Sequence, residues 1–229
     1  MAASSNGPCE GILFDLDGTL VDTAPDMVSA LQDLQQQHGL APVEYALGRS
    51  NVSNGARSLI TLAFPDSNEF ERQLLIGEFI DIYKNRLTQE SALYEGLEEL
   101  LSLLENAGKP WGVVTNKPAH LSEPLLEQLN LMQRCTCIVS GDTLEYRKPH
   151  PAPLLYACEL AGVNPAQTIY AGDAARDIEA GRAADMATIA IAYGYITADD
   201  DPVRWGAQHI AHSTEDLTQI VLKAVNLRI

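Results

Sequence analysis

The spacing of apolar residues changes several times along the chain, and each change predicts an element. The run Gly11-Ile12-Leu13-Phe14 is short and unbroken, the pattern of a strand buried on both faces. Beyond it the period lengthens. Met27, Ala30, Leu31 and Leu34 recur at helical spacing, with Asp22 or Thr23 placed to cap, Pro25 in the first turn and Gly39 to stop the helix. Helices are also predicted at about 55–64 and 68–90, the second carrying Phe70, Leu74, Phe79, Ile82, Tyr83 and Leu87. No strand pattern appears between about 22 and 93. From about 95 onward helices and strands alternate. Helices at 95–107, near 120–129, at 152–162 and at 174–184 precede strands at 111–115, 137–139, 168–171 and 187–191 respectively. Short apolar strands separated by helices imply a parallel sheet with right-handed crossovers. The predicted fold is α/β: a Rossmann-like parallel sheet core from residues 1–21 and 94–229, with a small all-helical domain, 22–93, inserted after the first strand.

The chain has 229 residues, 46% of them hydrophobic, enough for a proper core. The formal net charge of −16 argues against a nucleic-acid or anionic-membrane surface, because no basic patch is available to release phosphate counterions. Cys135 and Cys137 are one residue apart, which is not zinc-knuckle or redox spacing. With Cys9 and Cys158 they read as four reduced thiols. Met1 to Glu10 has neither the basic stretch nor the apolar core of a signal peptide, and no apolar run approaches membrane-spanning length. The expected setting is cytoplasmic.

Chemistry concentrates where strands end. Directly after the first strand come Asp15-Leu16-Asp17-Gly18-Thr19. In an open α/β sheet that is where ligands bind, and two close acids can divide attack from proton transfer. Asp, Gly and Thr are also ordinary turn residues, so the pair alone fits a solvated turn equally well. Three further groups fall at strand ends on the same side of the sheet. Thr115-Asn116-Lys117 offers a hydroxyl and an amide to an anion's oxygens, or forms a turn. Arg147-Lys148-Pro149 holds a lysine extended and outside a helix, aimed into a cleft or out to solvent. Gly172-Asp173-Ala174-Ala175-Arg176-Asp177 puts two acids on one helix face, a pattern that also suits a helix N-terminus. Acids crowded in this way repel one another. A divalent cation relieves the repulsion, and all-oxygen ligands suit Mg²⁺. The five histidines, His38, His120, His150, His209 and His212, are scattered and read as surface or loop residues.

Acid-x-acid-Gly-Thr, Thr-Asn, Lys-Pro and Gly-Asp-x-x-x-Asp, all present and in this order over nearly the whole chain, resemble the haloacid dehalogenase superfamily. The helical insertion resembles that superfamily's small cap domain. Trp111 to Pro118, Tyr146 to Pro153 and Tyr193-Gly194-Tyr195 resemble its phosphoglycolate phosphatase group. Ser53 to Arg57, Tyr193 to Ile196 and Trp205 to Ala207 are also similar to N-acetylmuramic acid 6-phosphate phosphatases. The resemblance implies a Mg²⁺-dependent phosphomonoester hydrolase. Asp15 is then the nucleophile that forms an aspartyl-phosphate, and Asp17 the acid and base. Thr115, Asn116 and Lys148 bind the phosphoryl group. Asp15, Asp173, the backbone carbonyl of Asp17 and Asp177, directly or through water, hold the metal. Mg²⁺ and Lys148 make the site locally cationic inside an acidic protein. One departure is Ala174, where many relatives carry Ser or Thr; a hydrogen bond near the metal is expected to be missing, at modest cost to affinity.

The expected substrate is a small acidic metabolite or sugar phosphate, phosphoglycolate or N-acetylmuramate 6-phosphate, chosen by the cap. Arg57, with Arg49 and Asn54, is the candidate to meet its carboxylate or hydroxyls, although a surface arginine is the plainer reading of each. A monomer or homodimer is expected. The alternatives are a phosphosugar mutase with the same motifs, a phospho-accepting signalling module, and a catalytically silent binding relative. A receiver-type module is about half this length and lacks the insertion.

Overall fold

The computed structural model describes residues 9–227 of the chain. The N-terminal stretch read as lacking a leader lies outside them, apart from Cys9 and Glu10. Six strands form one parallel sheet: β1 (Gly11–Phe14), β4 (Trp111–Val114), β5 (Cys137–Val139), β6 (Thr168–Gly172), β7 (Ala187–Ile191) and β8 (His209–Ala211). Their order is β5-β4-β1-β6-β7-β8. β1 is therefore central, and the chain leaves it first to one side and later to the other. Phe14 is level with Val113 of β4 and with Ala171 of β6. The residues that follow each of those strands are thus forced together at one point on the sheet edge, where ligands bind in such folds.

Every residue of β1, β4 and β6 is buried, as a sheet covered on both faces requires. Alternation divides them between two cores. Ile12, Phe14, Trp111, Val113, Ile169 and Ala171 join one, and Leu13, Val114 and Tyr170 the other. The helices that cover the faces are α5 (Leu97–Asn106), α6 (Ala119–Gln128), α7 (Ala152–Ala161), α8 (Ala175–Ala183) and α9 (Thr214–Ala224). The sequence pattern anticipates all but the last pair, β8 and α9. β8 has only three residues, one of them exposed, so its apolar run is too short to register.

Between β1 and β4 the chain is mostly helical: α1 (Ala24–Gln37), α2 (Tyr45–Ser50), α3 (Gly55–Ala63) and α4 (Glu69–Lys84). Two differences from the sequence expectation stand out. The insertion is fastened by a two-stranded antiparallel ribbon, β2 (Val21–Asp22) with β3 (Ala92–Leu93), lying at the expected boundary. Two-residue strands carry no periodicity to read. The helix expected over 68–90 ends at Lys84, and a loop continues to Ser91. The start of α4 is set by a reciprocal cap: Asn68 Oδ1 accepts from the Glu71 N–H, and the Asn68 N–H donates to Glu71 Oε2. Phe70 and Leu74, read as part of its apolar face, are exposed.

Thr23 does occupy the N-cap position of α1, yet it makes no side-chain cap bond. The Tyr195 hydroxyl accepts from the N–H groups of Thr23 and Ala24 instead, at 2.6 and 2.9 Å. This frees the Thr23 hydroxyl for Asp17. The four thiols are free, and no helix is long and apolar enough to cross a membrane among the described residues.

The return of the insertion is held by one carboxylate. Asp26, 2% exposed, accepts from the N–H groups of Glu90 and Ser91 and from the Ser91 hydroxyl at 2.6 Å. Asp26→Ala strips buried donors of a charged acceptor and is expected to cost about 2–4 kcal/mol. At ~2–4 °C per kcal/mol for a chain of this size, the melting temperature falls by at least about 4 °C. A thermal melt that moves by less than about 2 °C would contradict the assignment.

Candidate active site

Asp15 follows β1 and turns back on itself. Its Oδ1 accepts from the Leu16 N–H at 2.7 Å, and its own N–H donates to the Ala171 carbonyl at 2.8 Å. Gly18 then takes a φ of +80°, a conformation that L side chains rarely adopt. A Cβ there would also overlap Asp173 Oδ2, and one on Gly194 would overlap the Asp173 Cβ. Two glycines thus let the backbone close around a single carboxylate.

Asp15, Asp173 and Asp177 present oxygens within 4.8 Å of one another, and all three residues are buried. Lys148 lies among them. Its Nζ is 2.9 Å from Asp15 Oδ1 and 2.8 Å from Asp177 Oδ1, and it also donates to the Val114 carbonyl and the Tyr170 hydroxyl. Burial alone would discharge this lysine. The Asp15 and Asp177 carboxylates outweigh it and hold the ammonium charged, above its ordinary pKa. Burial acts on the acids without full compensation. It raises Asp15 from 3.8 to about 6, Lys148 pulling it down and Asp177 adding to the rise. It raises Asp173 from 3.8 to about 7, with repulsion from Asp15 and Asp177 added.

Asp173 has two distinct ends. Oδ2 accepts from the Tyr195 N–H at 2.8 Å and the Ser53 hydroxyl at 2.6 Å. Oδ1 is buried and has no hydrogen-bond partner among the described residues. Three carboxylates against one lysine leave an excess of negative charge, and an oriented bare oxygen faces it. This donor set fits a divalent, oxygen-seeking cation. Asp177 fits a supporting position, because Oδ1 meets Lys148 and Tyr170 while Oδ2 accepts from the Ala174 N–H at 3.0 Å.

The other candidates are placed as follows. Asp17 Oδ1 accepts from Thr23 Oγ1 at 2.6 Å and from Lys117 Nζ at 2.7 Å. Thr115 is buried at the end of β4, its Oγ1 accepting from the Lys117 N–H. Asn116 turns its amide onto the Lys148 backbone, Nδ2 donating to the carbonyl and Oδ1 accepting the N–H. Its side chain therefore fixes the lysine loop. Arg57 stands on α3, its side chain 56% exposed, gripping Glu69 at 2.7 and 2.9 Å. Arg49 is held by Asp22 at 2.6 Å and lies over the Tyr195 ring. In the sequence Ser53 only opens a stretch similar to N-acetylmuramic acid 6-phosphate phosphatases, and nothing there ties it to Asp173. It reaches Asp173 across 120 positions, with its carbonyl held by the Arg176 guanidinium. Only folding brings it there. It supplies to Asp173 a hydroxyl of the kind that Ala174 lacks.

Residues 12–191 match the family model described as haloacid dehalogenase-like hydrolase. The chain belongs to that family. It is 43% identical over 206 residues to a phosphoglycolate phosphatase of Xanthomonas campestris, covering 90% of this chain and 93% of the relative. It is 42% identical over 219 residues to an N-acetylmuramic acid 6-phosphate phosphatase of Pseudomonas aeruginosa, covering 94% and 96%. The crystal structure of a predicted phosphoglycolate phosphatase from Haemophilus somnus 129PT is similar with a TM-score of 0.82 at 29% identity, over 93% of this chain and 97% of that one. As a haloacid dehalogenase-like hydrolase with phosphatase relatives over almost its full length, the chain is a phosphoric monoester hydrolase.

The raised carboxylates make a prediction for the metal-free protein. Each folded pKa lies above its unfolded value, so the stability each acid contributes is complete below about pH 4 and lost as pH rises through the folded pKa. For Asp173 that loss begins near its ordinary value of 3.8 and is complete a little above about pH 7. Asp173→Asn removes it. With chelator present, the variant should melt higher than the parent at pH 8, by about 2 °C or more, and the gain should vanish at pH 4. Added Mg²⁺ should raise the melting temperature of the parent and leave the variant behind. A gain of equal size at both pH values would contradict this origin.

Proposed function

We propose that this hydrolase cleaves small phosphate monoesters with an acidic or sugar leaving group, through a phosphoryl group carried on Asp15 with Mg²⁺ bound. The observation that carries this reading is the convergence of Asp15, Asp173, Asp177 and Lys148 at one strand edge, with Asp173 Oδ1 buried and bare. The helical segment 22–93 acts as the cap. Asp15, Asp173 and the backbone carbonyl of Asp17 hold the cation, with Asp177 behind them. Bound there, Mg²⁺ offsets charge on the phosphoryl oxygens.

Asp15 attacks phosphorus with a carboxylate oxygen, the electron pair of the ester bond passes to the leaving oxygen, and Asp17 delivers a proton to it. A water then attacks the phosphoryl group on Asp15 and gives its proton to Asp17, and the Asp15–phosphorus bond breaks to restore the carboxylate. The sum is alcohol and phosphate from ester and water. A carboxylate approaching a phosphate meets about 4 kcal/mol of repulsion per charge pair at about 4 Å and an effective dielectric of about 20. The Lys148 ammonium, with Thr115 beside it, offsets that repulsion at the point of attack.

The family relatives act on phosphoglycolate and on N-acetylmuramate 6-phosphate, both of which carry a carboxylate. Arg57 is the proposed contact for that shared carboxylate, so it serves either substrate without telling them apart. Its pair with Glu69 is exposed and screened by solvent, so a substrate carboxylate displaces it at little cost.

With Mg²⁺ the enzyme should release free phosphate from at least one of these two compounds without net isomerisation, and Asp15→Asn should lower kcat by at least about 1,000-fold. A sugar phosphate returned isomerised points to the mutase; an active Asp15→Asn removes the covalent step. Arg57→Ala should raise KM for both substrates, and unchanged KM values on both remove Arg57 from substrate binding.

A further inference from the structure

Lys117 is a buried cation for which the chemistry above has no use. It lies on the loop after β4 and is 8% exposed. Its ammonium donates to Asp17 Oδ1 at 2.7 Å and to the Tyr83 hydroxyl at 2.9 Å, and it stands 4.7 Å from the centroid of the Tyr83 ring. Burial opposes this charge; Asp17 and Tyr83 more than restore it, and the lysine is held protonated. Tyr83 is fully buried near the end of α4, stacked on Phe79. The two partners of Lys117 thus come from opposite sides of the cleft, Asp17 from the sheet and Tyr83 from the helical insertion.

The arrangement is asymmetric at Asp17. Both its contacts, from Thr23 and from Lys117, fall on Oδ1. Among the described residues no donor reaches Oδ2, although the side chain is only 16% exposed. Two bonds on one oxygen fix the plane of a carboxylate and leave the other oxygen to exchange a proton. An apolar residue at Lys117 would fill the space without desolvating a charge, so the ammonium has a directional task.

We propose that Lys117 is the positioning residue of Asp17, and that the Tyr83 hydroxyl aims Lys117. Seating α4 against the sheet then sets the orientation of the acid that protonates the leaving group. This rests on Asp17 serving as that acid. A substrate that covers the cleft and draws the insertion down would tighten the chain Tyr83–Lys117–Asp17 at the moment the proton is needed.

The test uses two substrates that differ in their need for a proton. p-Nitrophenyl phosphate releases p-nitrophenolate, a stable anion, whereas the alkoxide leaving an alkyl phosphate, the faster of phosphoglycolate and N-acetylmuramate 6-phosphate, requires protonation. General-acid catalysis is worth about 10²–10⁴. The comparison is made in kcat/KM, which ends at phosphoryl transfer to Asp15 and so leaves out the shared hydrolysis step in which Asp17 is the base. Lys117→Met should lower kcat/KM on the alkyl phosphate by about 30-fold or more, and on p-nitrophenyl phosphate by less than about 3-fold. Tyr83→Phe keeps the ring, removes the acceptor and should show the same selectivity at about 3–10-fold. It carries the test if Lys117→Met does not fold. Asp17→Asn is the reference and should be at least as selective, with no further loss in Asp17→Asn/Lys117→Met.

Equal losses on both substrates, or no loss, in Lys117→Met or in Tyr83→Phe would overturn the inference, because a structural role lowers both alike. If Asp17→Asn is selective and neither neighbour is, the inference fails and the proposed function stands. If Asp17→Asn is itself unselective, the acid assignment fails and the inference falls with it.

Discussion

Everything near the strand ends is arranged around one buried cation, Lys148, shared between Asp15 and Asp177. A buried ammonium is costly unless paired, and buried carboxylates are equally so. Here they make each other tolerable. Lys148 meets two acids, a backbone carbonyl and a tyrosine hydroxyl, so its three protons are fully engaged. The carboxylates still outnumber it, and the surplus charge is directed at Asp173 Oδ1, the oxygen with nothing to accept. A divalent cation held at that oxygen would cancel the surplus locally, whatever the net charge of −16 on the whole chain. The global charge repels polyanions without saying anything against a small phosphate ester in this one spot.

The helical insertion is joined to that centre by side chains as well as by the β2–β3 ribbon. Ser53 meets Asp173, Tyr83 meets Lys117, and Arg49 with Tyr195 clamps Asp22 at the ribbon itself. Tyr195 serves both sides of the boundary. Its N–H orients Asp173, and its hydroxyl caps α1. A motion of the insertion is thus felt at the ligands of the site through short polar contacts, rather than through the fold as a whole.

The two levels of structure were legible to different degrees. β1, β4, β6 and β7 are four or five residues long and fully or nearly fully buried, so each reads as an unbroken apolar run. β8 and the two-residue strands of the ribbon carry too few positions for any period, and pairing alone makes them strands. Helix α4 reads nearly two turns too long because Leu87, buried beyond its end at Lys84, continues the helical spacing from Tyr83, while Phe70 and Leu74, read as core, are exposed. Within the site, Asp15 and Asp173 were legible because each follows a strand directly with a glycine nearby, whereas Asp177, in the first turn of α8, and Lys148, in the loop after β5, were legible through the order of the motifs. Asn116 was legible as polar, but its two bonds to the Lys148 backbone were not.

The sequence by itself determined the α/β architecture, the family and the set of groups available for chemistry, since local periodicity and motif order are properties of short stretches. Tertiary structure decided what those groups do to one another. Parallel register brings Phe14, Val113 and Ala171 level, and this collects residues more than 150 positions apart. The bare oxygen of Asp173, the Ser53 contact and the hold of Lys117 on Asp17 each depend on directions in space, and spacing along a chain does not encode them.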